Sequence, residues 1–136
     1  PSSLFTRFVQ IGRVVKLNQG EQKGAIAVVV EVIDGNRVIV DGPLHGVKRQ
    51  VLNLKRVALT EFVVPVQRGS RTPKVEKACK EFDLAAKWAS SASAKAAVAR
   101  AARTNMNDFD RFKAMVARKH RSHAIKVEFS KLKNKK

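Results

Sequence analysis

Residues 12–30 read GRVVKLNQGEQKGAIAVVV. Gly12 to Leu17 is a short apolar run, Gly20 and Gly24 bound a polar loop, and a second run dense in β-branched residues continues to Ile33. Such residues suit a pleated, half-buried surface, so the stretch reads as strand, loop, strand. Glycine at the loop positions lets backbone amides face outward and approach a phosphate closely. Lys16 and Lys23 flank the loop and supply charge. The same pattern also describes a plain hairpin whose glycines only make turns.

The strand signals continue outward from this hairpin. Asp34-Gly35-Asn36 is a turn signal in which Gly and Asn are expected to supply positive φ. Arg37 to Val40 resumes the strand and Asp41-Gly42-Pro43 stops it. Gln50 to Leu52 is a fourth candidate, and Val57 to Leu59 or Phe62 to Val64 a fifth. Five short strands in about 55 residues, joined by Gly, Asn and Pro turns, predict a small barrel rather than an open sheet. A domain of that size buries only about 60% of its unfolded surface, so the rest of the chain, or a partner, is expected to cover it. The first twenty residues carry Arg7, Arg13 and Lys16 and no acid, as a transit peptide does, but they run without a break into the first strand.

Charge divides the chain. The 136 residues hold 28 Lys and Arg against 11 Asp and Glu, a net charge of +17 and a pI near 10.9. Residues 1–65 carry net +4 and residues 66–136 carry net +13. The change falls at Pro65 to Pro73 (PVQRGSRTP), whose composition is that of a linker. The organisation expected is therefore a barrel over 1–65, a linker over 66–73 and a basic helical extension over 74–136, an α+β chain. A folded chain this basic most often partners a polyanion.

The helical reading starts at Thr72-Pro73, a capping hydroxyl followed by proline at the first helical position. Val75, Cys79, Phe82, Ala86 and Ala89 follow at spacings of three and four and define one face. Eleven alanines between Ala78 and Ala102 favour helix yet bury little area. A new helix is expected at Asn107, with Asp108 and Asp110 in its first turn. On it Phe109, Phe112 and Val116 fall within about 60° of arc and read as a packing face. Arg111, Arg118 and Arg121 fall within about 80° elsewhere and read as a basic face. The end, KLKNKK, has no hydrophobic period and is expected to fray. Trp88 is expected to pack against the barrel or a partner.

Several functions drop out. One cysteine, Cys79, excludes a disulfide framework and a zinc finger, and suits a reducing compartment. No uncharged stretch exceeds seven residues, so no membrane span is expected. His120 and His123 lie three apart, but no Cys, Asp or Glu stands close by to complete a metal site, and they read as solvated. Paired carboxylates and a Ser/His/Asp set are missing, and tyrosine is absent altogether. The expectation is no enzyme, no cofactor, no metal and no small-molecule substrate.

What remains is a phosphate-binding surface. Lys48-Arg49 and Lys55-Arg56 form two basic pairs after the third strand. With Arg13, Lys16 and Lys23 they are expected to meet nucleic-acid backbone. Arg68, Arg71 and Lys74 of the linker repeat the pattern, as do Arg111, Lys113, Arg118, Lys119 and Arg121 of the last helix. Arginine offers a planar fork for bidentate phosphate contacts. Base-reading motifs are missing, and seven Phe with one Trp are too few for an aromatic platform.

The segment Phe8 through Gly42 (FVQIGRVVKLNQGEQKGAIAVVVEVIDGNRVIVDG) resembles the KOW-bearing SH3-like barrel of ribosomal proteins. With Asn53 to Thr60 (NLKRVALT), Lys87-Trp88-Ala89 and Asn107 to Lys113 (NDFDRFK), the chain resembles the L-fourteen-e family of the eukaryotic large ribosomal subunit. Ser90 to Ala102 and the KLKNKK end carry no family pattern. The resemblance implies a five-stranded SH3-like barrel followed by an extended basic helical arm. It also implies a structural role in the large subunit, binding ribosomal RNA and neighbouring ribosomal proteins, in cytoplasmic ribosomes after nucleolar assembly. The competing reading is a chromatin or transcription-elongation factor with a KOW-type barrel. Against it, the arm keeps capped helices with acidic starts. A peptide-binding SH3 module needs an aromatic groove, and this barrel has neither Tyr nor Trp.

Overall fold

The computed structural model describes residues 5–134. Five strands, β1 (Arg13–Leu17), β2 (Ile26–Val32), β3 (Arg37–Gly42), β4 (Val47–Asn53) and β5 (Val57–Val63), form one antiparallel sheet in the order β4-β3-β2-β1-β5. Four helices follow: α1 (Thr72–Glu81), α2 (Leu84–Ser90), α3 (Ala92–Thr104) and α4 (Asp108–Lys133). Short 3-10 turns occupy Pro43–His45 and Leu54–Arg56. The chain is α+β. The sheet, α1 and α2 fall in one compact unit ending at Ser90, and α3 and α4 in a second from Ser91.

β2 alternates its side chains between two buried faces, which is why its sequence is apolar almost without interruption. On one face Val14, Ile26, Val28, Val30 and Val64 pack with Val75 and Cys79 of α1 and Leu84 of α2. Half-buried Phe62, Phe82 and Trp88 close that cluster, so the cover expected for the sheet comes from the chain's own helices. On the other face Val15, Leu17, Ala27, Val29, Val38, Val40, Val47 and Val57 form a second cluster. All five strands contribute to it. Register shifts at Arg13/Val15, Val29/Glu31 and Val40/Gly42 mark the irregularities that bend strands. Among the described residues no ladder joins β4 to β5, so the observed pairing is a five-stranded sheet without barrel closure.

Several local expectations are corrected. β3 does not stop at Asp41 but runs through Gly42. A Cβ at Gly42 would lie 2.7 Å from the Ile26 carbonyl oxygen and 2.9 Å from the Val47 Cβ, so the missing side chain permits a close crossing. The two alternatives for the fifth strand are one strand, β5. Neither Gly35 nor Asn36 takes a positive φ. The Asp34 carboxylate shapes that turn instead, accepting from the Asn36 and Arg37 amides at 2.8 and 2.7 Å. These amides and the Arg37 guanidinium hold the Asp34 carboxyl below its usual value.

The helix starts and phases also differ. Thr72 does not cap α1: Arg71 is the N-cap residue, without a side-chain capping bond. The Thr72 hydroxyl donates at 2.6 Å to Asp41 Oδ2, a buried carboxylate that attracts it more strongly than the helix amides do. Asp83, at φ 54°, breaks the helix and resets its phase. Leu84 and Trp88 therefore turn inward, while Ala86 and Ala89 are exposed. On α4 no residue is buried; Phe109 and Phe112 are 64% and 55% exposed, so the packing face read there is not core. The end of the chain is helical as far as Lys133, supported by a Lys131–Glu128 pair at 2.7 Å. The rest of the expected frayed end, Lys135 and Lys136, lies outside the described residues.

Candidate nucleic-acid interface

The loop after β1 is built by two glycines in the left-handed region, Gly20 at φ 93° and Gly24 at φ 94°, where other residues are strained. Nothing lies within 4 Å of a Cβ built at either. The amides of Lys23, Gly24 and Ala25, however, donate to the Gly20, Leu17 and Gln22 carbonyls, so they do not face outward toward a phosphate as the sequence led one to expect. The loop is tied down at both ends. Gly24 N–H donates to the Leu17 carbonyl at 2.8 Å, and Asn18 N–H to the Arg56 carbonyl at 2.9 Å. Midway, the Gln22 amide donates to the Gly46 carbonyl at 3.2 Å and accepts from the Gln50 side chain at 3.0 Å.

These ties create a concavity of about 380 Å³ beside the loop, with Gly20, Lys48 and Arg56 in its lining. NLKR explains one wall. Asn53 Oδ1 accepts from the Lys55 amide at 2.9 Å, capping the 3-10 turn. Leu54 packs on the second core cluster, which leaves Lys55 and Arg56 exposed. Lys23, Lys48, Lys55 and Arg56 have no carboxylate partner among the described ion pairs.

Other cations read from the sequence stand elsewhere. Arg13 is 5% exposed and its guanidinium donates inward, to the carbonyls of Phe8 at 2.9 Å and Thr60 at 3.2 Å. It splints the chain before β1 to β5 and is off the surface. Lys16 is half-buried. Arg49 bonds Asp41 Oδ2 at 3.2 Å and also donates to the Ser70 carbonyl. Asp41, 1% exposed, thus joins β4 through Arg49 to α1 through Thr72. Arg68 pairs with Glu31 at 2.6 Å, Lys74 donates to the Gln67 side chain at 2.6 Å, and Arg71 is exposed.

In the second unit α4 starts as its sequence directs: Asn107 Oδ1 accepts from the Asp110 amide at 2.8 Å. Lys113 pairs with Asp110 at 2.7 Å and stands 4.6 Å over the Phe109 ring. NDFDRFK is thus a helix start closed on itself. Beyond it Arg111, Arg118, Lys119 and Arg121 are exposed. Arg118 and Lys119 share a shallow groove of about 430 Å³ with His123 and Lys126. Lys126 was legible from its seven-residue spacing to Lys119, which returns it to the same face. Arg103, at the end of α3, gave no such signal within the alanine-rich stretch. Cys79 is buried, and burial with the Asp41 carboxylate nearby pushes its thiol up to about 11. Among the described residues no group of side chains could hold a metal, and no helix is long and apolar enough to cross a membrane.

A family model for ribosomal protein L14 matches residues 48–122, from the Lys48-Arg49 pair to the basic stretch of α4. The chain belongs to the ribosomal protein L14 family. The large ribosomal subunit protein eL14 of Schizosaccharomyces pombe is 41% identical over 127 residues, covering 93% of this chain and 95% of that protein. That of Drosophila melanogaster is 41% identical over 131 residues, covering 96% and 79%. That of Pisum sativum is 38% identical over 129 residues, covering 95% and 96%. NLKRVALT and NDFDRFK lie inside the region of the family match, and the relatives extend the likeness to most of the chain.

Proposed function

We propose that the protein is a structural, non-enzymatic constituent of the large ribosomal subunit that grips folded ribosomal RNA by its backbone. Family membership supports the ribosomal role. The observation that carries the RNA binding is the concavity beside the glycine loop. Its lining holds Lys48 and Arg56, neither with a carboxylate partner among the described ion pairs, alongside one acid, Glu21. Lys23, Lys48, Lys55 and Arg56 serve one contact surface, and Arg111, Arg118, Lys119 and Arg121 of α4 serve another. Arg71 and Lys74 add charge at the start of α1. Arg13, Lys16, Arg49, Arg68 and Lys113 hold the fold and contribute to the field rather than to direct bonds. Recognition is of shape and phosphate, with release of counterions.

The sheet curls as an SH3-like barrel in this reading. β4 and β5 are the outer strands, yet Val47 and Val57 meet in one cluster, which a flat sheet would keep apart. Neighbouring ribosomal proteins are further partners, met in cytoplasmic ribosomes after nucleolar assembly.

The test is sedimentation of tagged protein from lysate, with and without ribonuclease, at low and high salt. Cosedimentation with the large subunit that survives high salt and is lost on ribonuclease treatment is expected. Isolated contacts to about 6–10 phosphates would lose roughly 10³–10⁵ in affinity between 50 and 200 mM salt, so retention requires an integrated assembly. Release by salt with transfer to DNA would overturn the reading in favour of a chromatin or elongation factor.

A further inference from the structure

The turn joining α3 to α4 holds a cleft of about 570 Å³ lined by Arg103, Met106, Arg111, Ala114 and Arg118. Arg103 ends α3, Met106 lies in the turn, and the other three recur on α4 at spacings of three and four, which brings them to one face. None of the three arginines has a carboxylate partner among the described residues. The nearby Asp110 is taken by Lys113, and Arg118 Nε donates only to the Ala114 carbonyl of its own helix at 3.3 Å.

Three guanidiniums around one concave space repel one another unless an anion enters. The space is not only charged. Met106 and Ala114 are half-buried and give it an apolar floor, and a thioether is soft enough to fit a flat ring. The volume falls within the roughly 300–1,000 Å³ usual for a small-ligand site. Arginine binds phosphate bidentately and also stacks on planar rings. Paired bases in an A-form helix are stacked out of reach, whereas an unstacked base can be splayed into a pocket.

We propose that this elbow takes a single extruded nucleotide of a bulged RNA, with the arginines on its flanking phosphates and its base on Met106 and Ala114. The proposal rests on the RNA-binding reading above and adds to it a site that prefers an unpaired nucleotide.

The experiment uses the full chain and three labelled RNA hairpins: fully paired, with one unpaired nucleotide, and with an abasic residue at that position. The bulged hairpin is expected to bind about tenfold tighter than the other two, within the range a stacked base supplies. Arg103→Gln with Arg111→Gln should abolish the preference and lower the salt slope by about 0.7 for each phosphate no longer neutralised. Met106→Ser should abolish the preference with the slope unchanged, which removal of charge alone would not do. Helix content measured by circular dichroism confirms that both variants keep their fold, since all these side chains lie at or near the surface. Equal binding of all three hairpins, equal binding of the abasic and complete bulges, or a preference that survives Met106→Ser overturns the proposal. Absence of salt-sensitive binding to any hairpin overturns the RNA reading itself.

Discussion

Arg49→Met separates the folding role of this arginine from the RNA role of its neighbour Lys48. The Asp41 carboxylate is 1% exposed. Oδ2 accepts from Arg49 at 3.2 Å and from Thr72 at 2.6 Å, while Oδ1 is buried without a partner among the described residues. Removing one member of a buried pair costs about 3–5 kcal/mol, because a charge is left uncompensated. Arg49 is 36% exposed on its side chain, so solvent screens part of that attraction, and about 2 kcal/mol is expected here. Trp88 fluorescence reports the destabilisation, since this single tryptophan sits against the cluster that α1 covers. With a urea slope of about 1–1.5 kcal/mol/M, the midpoint should fall by roughly 1–2 M. Adding Asp41→Asn to Arg49→Met should recover part of the stability, because a neutral amide costs less to leave unpaired. RNA binding by the folded Arg49→Met protein should keep its salt slope, whereas Lys48→Met should lower it by about 0.7. A midpoint unchanged by Arg49→Met, or further destabilisation by Asp41→Asn in that background, would refute the clamp.

Gly12→Ala should prevent stable folding, since Gly12 sits at φ 82° and its new Cβ would overlap the Val64 carbonyl oxygen; expression with a protease-resistance assay checks it. Cys79 should resist alkylation in the native protein at pH 8 and react once urea unfolds the chain. Because its folded pKa of about 11 exceeds the ordinary thiol value of 9.0, the native state holds its proton longer. That stabilisation is full below pH 9, declines as pH rises toward 11, and is read by urea midpoints across that range. Amides of α4 should exchange hydrogen far faster than those of β2, because α4 buries no residue and has only local helix energetics to protect it.

The strands were legible because their periodicity and turns are local properties. In β2 successive side chains turn to two faces that are both buried, which leaves a nearly continuous apolar run, and Asp34 follows its end. The helix start at Asn107 was legible for the same reason, its cap and acidic first turn being contained in NDFDRFK. The phase of α2 was not. Asp83 adopts a left-handed φ that no local spacing announces, and one break is enough to exchange Ala86 and Ala89 for Leu84 and Trp88. Phe109 and Phe112 share the period of a core face, but a period says only which residues lie together, not whether anything covers them.

Charge follows the same division. Composition alone raised the expectation of a polyanionic partner, because net +17 on 136 residues is a property of the residues and not of their arrangement. Which cations remain available was decided by the tertiary structure. Lys48 and Arg49 are adjacent in sequence, yet one lines the open concavity beside the glycine loop and the other is held by Asp41. The reason is that successive strand residues point to opposite sides. Whether a buried carboxylate waits there depends on β3, eight residues away in sequence and paired only when the sheet forms.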